Sequence, residues 1–333
     1  MPRSLKLLLA AALLAALACA GYIAAYVSTP VAMRALPAEF EIPQGARFRA
    51  AARLIEEAGV AVGAWRLELL ARALNRANDI KAGSYELSAA PTPLELLGML
   101  TRGDVTQAEL KVIEGWTFGQ MRAALDAHPG VRHDTLGLPA AELLQRLGAA
   151  ETHPEGLFYP DTYLFSRGTS DRHILHRAHA ALRRHLEQEW QGRDPGVPYR
   201  SPYDALIMAS IVEKETGRAA ERELIGGVLV NRLRLGMLLQ VDPAVIYGLG
   251  ERFEGKLRKN HLLADGPYNT YTRAGLPPTP IALPGLSALR AALHPAKTDA
   301  LYYVARGDGS SEFSRTLDEH NRAVRKYQLN GAR

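Results

Sequence analysis

Two glutamates, Glu213 and Glu215, close the stretch Tyr203-Asp-Ala-Leu-Ile-Met-Ala-Ser-Ile-Val-Glu-Lys-Glu-Thr216. Ser201-Pro202 ahead of it is a helix start, because a short hydroxyl caps free N–H groups and proline is tolerated where no N–H partner is needed. At about 100° per residue, Ser210, Glu213 and Lys214 share one polar stripe, which is expected to face water. Glu215 projects to the opposite side, between Met208, Ile211 and Val212. A carboxylate emerging among apolar side chains loses solvation of its charged form. Its pKa rises, and it can carry a proton near neutral pH as a general acid. The competing reading makes Glu215 a structural carboxylate paired with an arginine.

Other segments carry groups that could serve such an acid. In Leu239-Gln240-Val241-Asp242-Pro243-Ala244-Val245-Ile246-Tyr247-Gly248, Asp242 before Pro243 reads as a helix cap, with Gln240 in the entering loop and Tyr247 near the helix end. Tyr268-Asn269-Thr270-Tyr271 opens a long irregular section through Gly285, the kind of segment that makes a binding wall or lid. Glu155-Gly-Leu-Phe-Tyr-Pro-Asp-Thr-Tyr163 crowds aromatics among acids, either as a sugar-binding lip or as core aromatics beneath a loop. His173, His176, His179 and His185 cannot gather on one helical face, so that helix is expected to be a solvated surface without a metal. There is no Gly-rich phosphate loop, no Gly-x-Ser-x-Gly and no Cys/His cluster, so the sequence points away from nucleotide, serine-hydrolase and zinc chemistries, and no cofactor is expected.

The elements that must position these groups begin with an uncharged run from Leu7 to Val27 behind Arg3 and Lys6, long enough to cross a bilayer, which takes roughly 20 residues. Basic residues before the run place the N-terminus in the cytoplasm and the rest outside. A cleaved signal near Ala18-Cys19-Ala20, or a lipidated Cys19, is the alternative to an uncleaved anchor. Cys19 is the only cysteine, so no internal disulfide can form, and 47% hydrophobic residues in a chain of 333 suffice for a core. A formal charge of +5 suits an anionic partner, but no basic stretch with interleaved aromatics points to nucleic acid. After a short tether, a strand at Phe40–Pro43, helices over 48–59 and 61–78, a turn into a strand over 81–87 and a capped helix from Thr92-Pro93 make a small α/β unit. Farther on, 301–305 and 312–314 read as a hairpin around Gly307-Asp-Gly-Ser310, and Thr316–Tyr327 as a closing helix with His320 and Asn321.

Taken together, Met208–Thr216, Leu239–Gly248, Tyr268–Tyr271, His294-Pro295-Ala296 and His320-Asn321 resemble, in order and over nearly the whole chain, the YceG-like (MltG) family of endolytic murein transglycosylases. The resemblance implies an α+β protein with an N-terminal transmembrane helix, a small LysM-like α/β subdomain and a larger mixed α+β catalytic domain. The corresponding division is a cytoplasmic tail (1–6), anchor (7–27), tether (28–37), LysM-like subdomain (38–108) and catalytic domain (109–333). It implies an inner-membrane enzyme, with its catalytic part in the periplasm. Such an enzyme cuts nascent peptidoglycan strands between N-acetylmuramic acid and N-acetylglucosamine, leaves 1,6-anhydro ends and so terminates glycan polymerisation, with peptidoglycan synthases (penicillin-binding proteins) as implied partners. In that family the acid is the glutamate of the Glu-Thr pair, here Glu215; Gln240, Tyr247, Tyr268, Asn269 and Thr270 are the candidates for holding sugar hydroxyls and acetamido groups. Two rivals stay open: a hydrolase with Asp242 as second carboxylate, and a catalytically silent glycan-binding scaffold.

Overall fold

The computed structural model describes residues 3–105 and 107–329; the expected tail and catalytic domain each include terminal residues that lie outside these. The chain divides into two compact units, and it passes between them more than once. One unit holds the residues up to Ala108 together with a return segment, Leu164–Thr169; the other holds Glu109–Tyr163 and everything from Ser170.

In the first unit, α1 (Arg3–Ser28) contains the apolar stretch Leu9–Ser28, which is long and apolar enough to span a membrane. Strand β1 (Ala38–Ile42) pairs antiparallel with β2 (Gly83–Leu87), Phe40 opposite Tyr85. The period-2 pattern turns Ala38, Phe40 and Ile42 inward, where α2 (Phe48–Glu57), α3 (Ala64–Ala73) and α4 (Pro93–Arg102) add Ile55, Leu67, Leu96 and Leu100 to one core. Each fully buried side chain of this size contributes about 1.5–3 kcal/mol. Helix α4 starts where Thr92 and Glu95 satisfy each other's backbone N–H groups, as Thr92-Pro93 predicts.

In the region leading to the main helices lie β3 (Gln107–Lys111), α5 (Phe118–Asp126), β4 (Val131–Arg132), α6 (Ala140–Leu147), β5 (Thr162–Ser166) and β6 (Thr169–Ser170). The second unit is then built around α8 (Pro202–Glu215), against which α7 (Asp171–Gln191), α9 (Ala219–Arg234) and α12 (Leu286–Leu293) pack. Ser201 caps α8 by accepting the Asp204 N–H, as expected. Every residue from Ala205 to Glu213 is buried. The polar stripe expected to face water is therefore corrected. Ser210 accepts the Ile281 N–H, and Glu213 is enclosed between Arg222 and the Gly285 N–H; of the three, only Lys214 is exposed. A helix surrounded on all sides has no solvent face, so its polar residues must find partners from other elements.

Helices α9 and α12 approach so closely that a Cβ at Gly226 would lie 2.3 Å from the Ala291 carbonyl oxygen, and one at Gly227 2.5 Å from that of Ala296. Ahead of the irregular section lie two short helices, the expected α10 (Asp242–Leu249) and α11 (Lys259–Leu263), the second not anticipated. Strands β7 (Tyr302–Ala305) and β8 (Ser311–Ser314) form the expected hairpin, Tyr303 opposite Phe313, followed by α13 (Leu317–Val324). Helix α7 is not solvated throughout: His179 is buried beside the Phe158 ring, and Phe158 is itself fully buried, as a core aromatic beneath a loop would be.

Candidate active site

Helix α8 ends at Glu215 because Thr216 turns to an extended conformation. The last turn of a helix carries a partial negative charge, which disfavours a carboxylate there. The surrounding residues strengthen this effect. Burial, with a smaller push from the nearby Asp242 charge, takes the Glu215 carboxyl up to about 7 against the pull of a hydrogen bond from Tyr303 and of the Arg232 charge. Tyr303 donates its hydroxyl to Glu215 Oε2 at 2.8 Å, and Oε1 is buried with no hydrogen-bond partner among the described residues. One oxygen is thus fixed and the other is uncommitted.

The cavity in front of this carboxyl has a volume of about 400 Å³ and is lined by Arg232, Gln240, Asp242, Tyr271, Tyr303 and His320 among others. Its walls are set by α9. Arg232 donates from Nε to the Leu301 carbonyl at 2.6 Å, and Asn231 donates to the carbonyls of Thr298 and Ala300. At the other end of α9, Glu221 accepts the Ser311 N–H and hydroxyl. The hairpin is clamped at both strands, and the pleat then directs Tyr303 at Glu215. Arg232 also donates to the Leu239 carbonyl and to Gln240 Oε1, and its guanidinium lies 5.0 Å from the centre of the Tyr302 ring. His320 stacks on the other residues of this wall through Tyr302, ring centres 5.2 Å apart.

The candidates named from the sequence fall into three places. Gln240 lies in the cavity with Glu215; its backbone is left-handed at φ 54°, a conformation rarely adopted by a residue with a side chain. Thr270 holds it there: its carbonyl accepts the Gln240 N–H and its Oγ1 accepts the Val241 N–H. Thr270 and Asn269 are both buried, and Asn269 donates to the carbonyls of His261, Leu262 and Ala264, closing the end of α11. Tyr247 and Tyr268 pack edge to face at 5.0 Å in a separate cluster, where Tyr247 donates to Glu155 Oε2 and Tyr268 pairs with Thr279. Burial raises Glu155 to about 7, opposed by donors from Phe118 N–H and Tyr247.

Asp242 needs a correction. The residue flanking α10 is Val241, which makes no side-chain cap, and Asp242 is the first helical residue; its Oδ1 accepts the Tyr271 hydroxyl at 2.6 Å. It faces the same cavity as Glu215. Sequence reasoning passed over Tyr303, Arg232, Tyr271 and His320 as site residues. Tyr271 closes the Tyr-Asn-Thr-Tyr motif, which was a usable signal; Tyr303 and Arg232 carry none in their local sequence.

Among the described residues one grouping has metal-ligand character, Asp126, His133 and Asp171. Arg122 ion-pairs with Asp126 at 2.8 Å and lies 3.5 Å from Asp171, so a cationic side chain already serves these carboxylates. Asp171 additionally accepts the N–H groups of Asp134 and Thr135.

A single enclosed carboxyl with a raised pKa, one oxygen anchored and one free, in a cavity lined with tyrosine, arginine, glutamine and aspartate, is an acid–base site for a polar substrate. The chain belongs to the YceG-like family, which matches residues 40–326. It is similar to the endolytic murein transglycosylase of Bacillus subtilis (strain 168), with 33% identity over 258 residues, 76% of this chain and 71% of that one. The endolytic murein transglycosylase of Streptococcus pneumoniae serotype 2 (strain D39 / NCTC 7466) is 27% identical over 332 residues, 86% of this chain; the match spans 57% of the pneumococcal protein. A crystal structure of a yceG-like protein from Listeria monocytogenes covers 86% of this chain and 98% of its own with a TM-score of 0.53 and 31% identity.

Proposed function

We propose that the chain is an endolytic peptidoglycan lytic transglycosylase in which Glu215 is the sole acid and base. The observation that carries this reading is the asymmetry of its carboxyl: Oε2 receives the Tyr303 hydroxyl while Oε1 is enclosed with no partner among the described residues. Protonated, Glu215 gives its proton to the glycosidic oxygen as the bond from muramic C1 breaks. The resulting carboxylate removes the proton of the muramic C6 hydroxyl, whose oxygen closes on C1 to form the 1,6-anhydro end. The proton lost in the first step is regained in the second, so no water is consumed. A pKa near the working pH suits a group that must both give and take a proton.

Gln240 and Tyr271 are placed to bind sugar substituents at the cavity rim, with Tyr247 and Tyr268 serving from their own cluster and Asn269 and Thr270 supporting the wall. The names of the relatives and the enclosed acid both argue against a catalytically silent scaffold. The second reading is a hydrolase, and one observation favours it: Asp242 lines the same cavity. Hydrolases use two carboxyls, one of which delivers water or forms a covalent intermediate. Cleavage of purified glycan strands in heavy-oxygen water separates the two. The transglycosylase gives anhydro ends free of label; one heavy oxygen at each new muramic end establishes hydrolysis.

The apolar helix supports anchorage in the inner membrane, with the N-terminus in the cytoplasm and the catalytic part in the periplasm. The strand–helix–helix–strand order from β1 to β2 supports a LysM-like glycan-binding subdomain over 38–108, ahead of a catalytic domain over 109–333, with 1–6 as tail, 7–27 as anchor and 28–37 as tether. Action on nascent strands would make the enzyme a terminase of polymerisation working beside peptidoglycan synthases.

A further inference from the structure

We propose that the outer face of α3 is a second membrane-contacting surface, which rests in the headgroup layer of an anionic bilayer; this builds on the reading of α1 as an uncleaved anchor. Helix α3 meets the needs of the fold with one face only. Leu67 and Ala71 are fully buried in the core of the first unit. On the outer face, one turn apart, Trp65 is 64% and Leu69 59% exposed. An exposed tryptophan–leucine pair, unneeded by the core, marks an interaction surface.

The contacts of α3 with α1 say what covers that surface. Tyr26 donates its hydroxyl to the Val62 carbonyl at 2.8 Å, and Arg66 reaches the Tyr22 hydroxyl at 3.4 Å while lying over the Tyr26 ring. Tyr22 lies six residues before Ser28, where α1 ends. At 1.5 Å per residue, Arg66 therefore meets α1 about 9 Å before its end. Tyr22 and Tyr26, tyrosines of the kind that sit at headgroup level, mark this end of α1 as the interface; Arg66 touches both, and Trp65 is adjacent to Arg66. Tryptophan at this level is favoured, because its ring is apolar and its N–H is polar.

The charge around the pair selects the lipid. Arg72 lies one turn beyond Leu69, and Arg49 lies beside it through shared Glu68; their side chains are 69% and 64% exposed. Two arginines sharing one carboxylate keep a net positive charge, which an anionic surface attracts. A short amphipathic helix with tryptophan and leucine outward and arginines beside them has the composition of an interfacial helix.

The chain has three tryptophans, so replacing Trp116 and Trp190 by phenylalanine leaves Trp65 as the only reporter. The full chain with W116F and W190F is reconstituted into vesicles of phosphatidylcholine and phosphatidylglycerol. Trp65 emission is expected to be blue-shifted, strongly quenched by lipids brominated near the headgroup and protected from aqueous iodide, with Leu69→Glu abolishing the protection. If the double variant does not fold, the difference spectrum between wild type and Trp65→Phe gives the same reading. Iodide-accessible Trp65 in a protein whose α1 resists alkaline extraction overturns the inference and leaves the anchor standing. Release of the protein by alkali overturns both. Equal protection in vesicles of phosphatidylcholine alone overturns the preference for anionic lipid.

Discussion

The proton on Glu215 is held between groups acting in opposite directions. Enclosure and the Asp242 charge raise its pKa, and the Tyr303 hydroxyl and the Arg232 charge lower it, to about 7. Because the acid must be protonated to act, activity should fall as pH rises through about 7. Asp242→Asn should move this alkaline limb of kcat/KM to lower pH, and Tyr303→Phe should move it to higher pH; limbs that stay in place in both variants would remove Glu215 as the titrating acid. Stability follows the same linkage. The folded-state pKa lies above the ordinary 4.5, so charging Glu215 costs nothing below that value, and stability is lost as pH rises through about 7. At 1.36 kcal/mol per unit the loss is at most about 3 kcal/mol. Glu215→Gln should therefore melt above wild type at pH ~8 and level with it near the unfolded pKa, while losing about a hundredfold or more in turnover. Glu213→Gln should do the opposite in stability. It loosens a pair whose side chains are 4% and 10% exposed, leaving Arg222 buried with a neutral partner; a loss of about 3 kcal/mol is expected by denaturant titration.

At the scale of elements, local signals marked the boundaries well and the coverings poorly. Ser201-Pro202 and Thr92-Pro93 announced the starts of α8 and α4, and Gly307-Asp-Gly-Ser310 announced the hairpin, because caps and turns are local chemistry. Helical phase separated Glu213 from Glu215 in direction. It could not say that Glu213 would be met by Arg222 from the next helix. Likewise Tyr303, 88 residues from Glu215, joins the site through clamps on α9 that no periodicity reveals. The distortion at Gln240 was invisible for the same reason: Thr270, which holds it, comes from a distant loop. The close approach of α9 to α12 can be tested directly. Gly226→Val places side-chain carbon against a backbone carbonyl that cannot move aside, and should cost about 2–4 kcal/mol in unfolding free energy. A thermal melt unchanged within a degree or so would show that the helices separate freely there.

For the whole molecule, the chain's repeated passage between its units governs what can be removed. A chain begun at Glu109 keeps Leu164–Thr169 but loses the unit to which that segment belongs. Arg167, whose carbonyl accepts the Ser84 hydroxyl, would lose that partner. Such a fragment should aggregate more readily than residues 29–333 in light scattering; an equally monodisperse fragment would contradict it.

The same interleaving bears on how the chain can be inherited. A bead on a string can be gained, lost or exchanged by one crossover in the gene, at the linker. Here a single crossover after codon 108 would join a first unit to a second one carrying the wrong return segment, so the two can be replaced independently only if residues 164–169 travel with their own partner. Shuffled hybrids of distant relatives joined at that point should fold poorly, and those exchanging both pieces together should recover, which makes the short return segment the lineage lock between the two units.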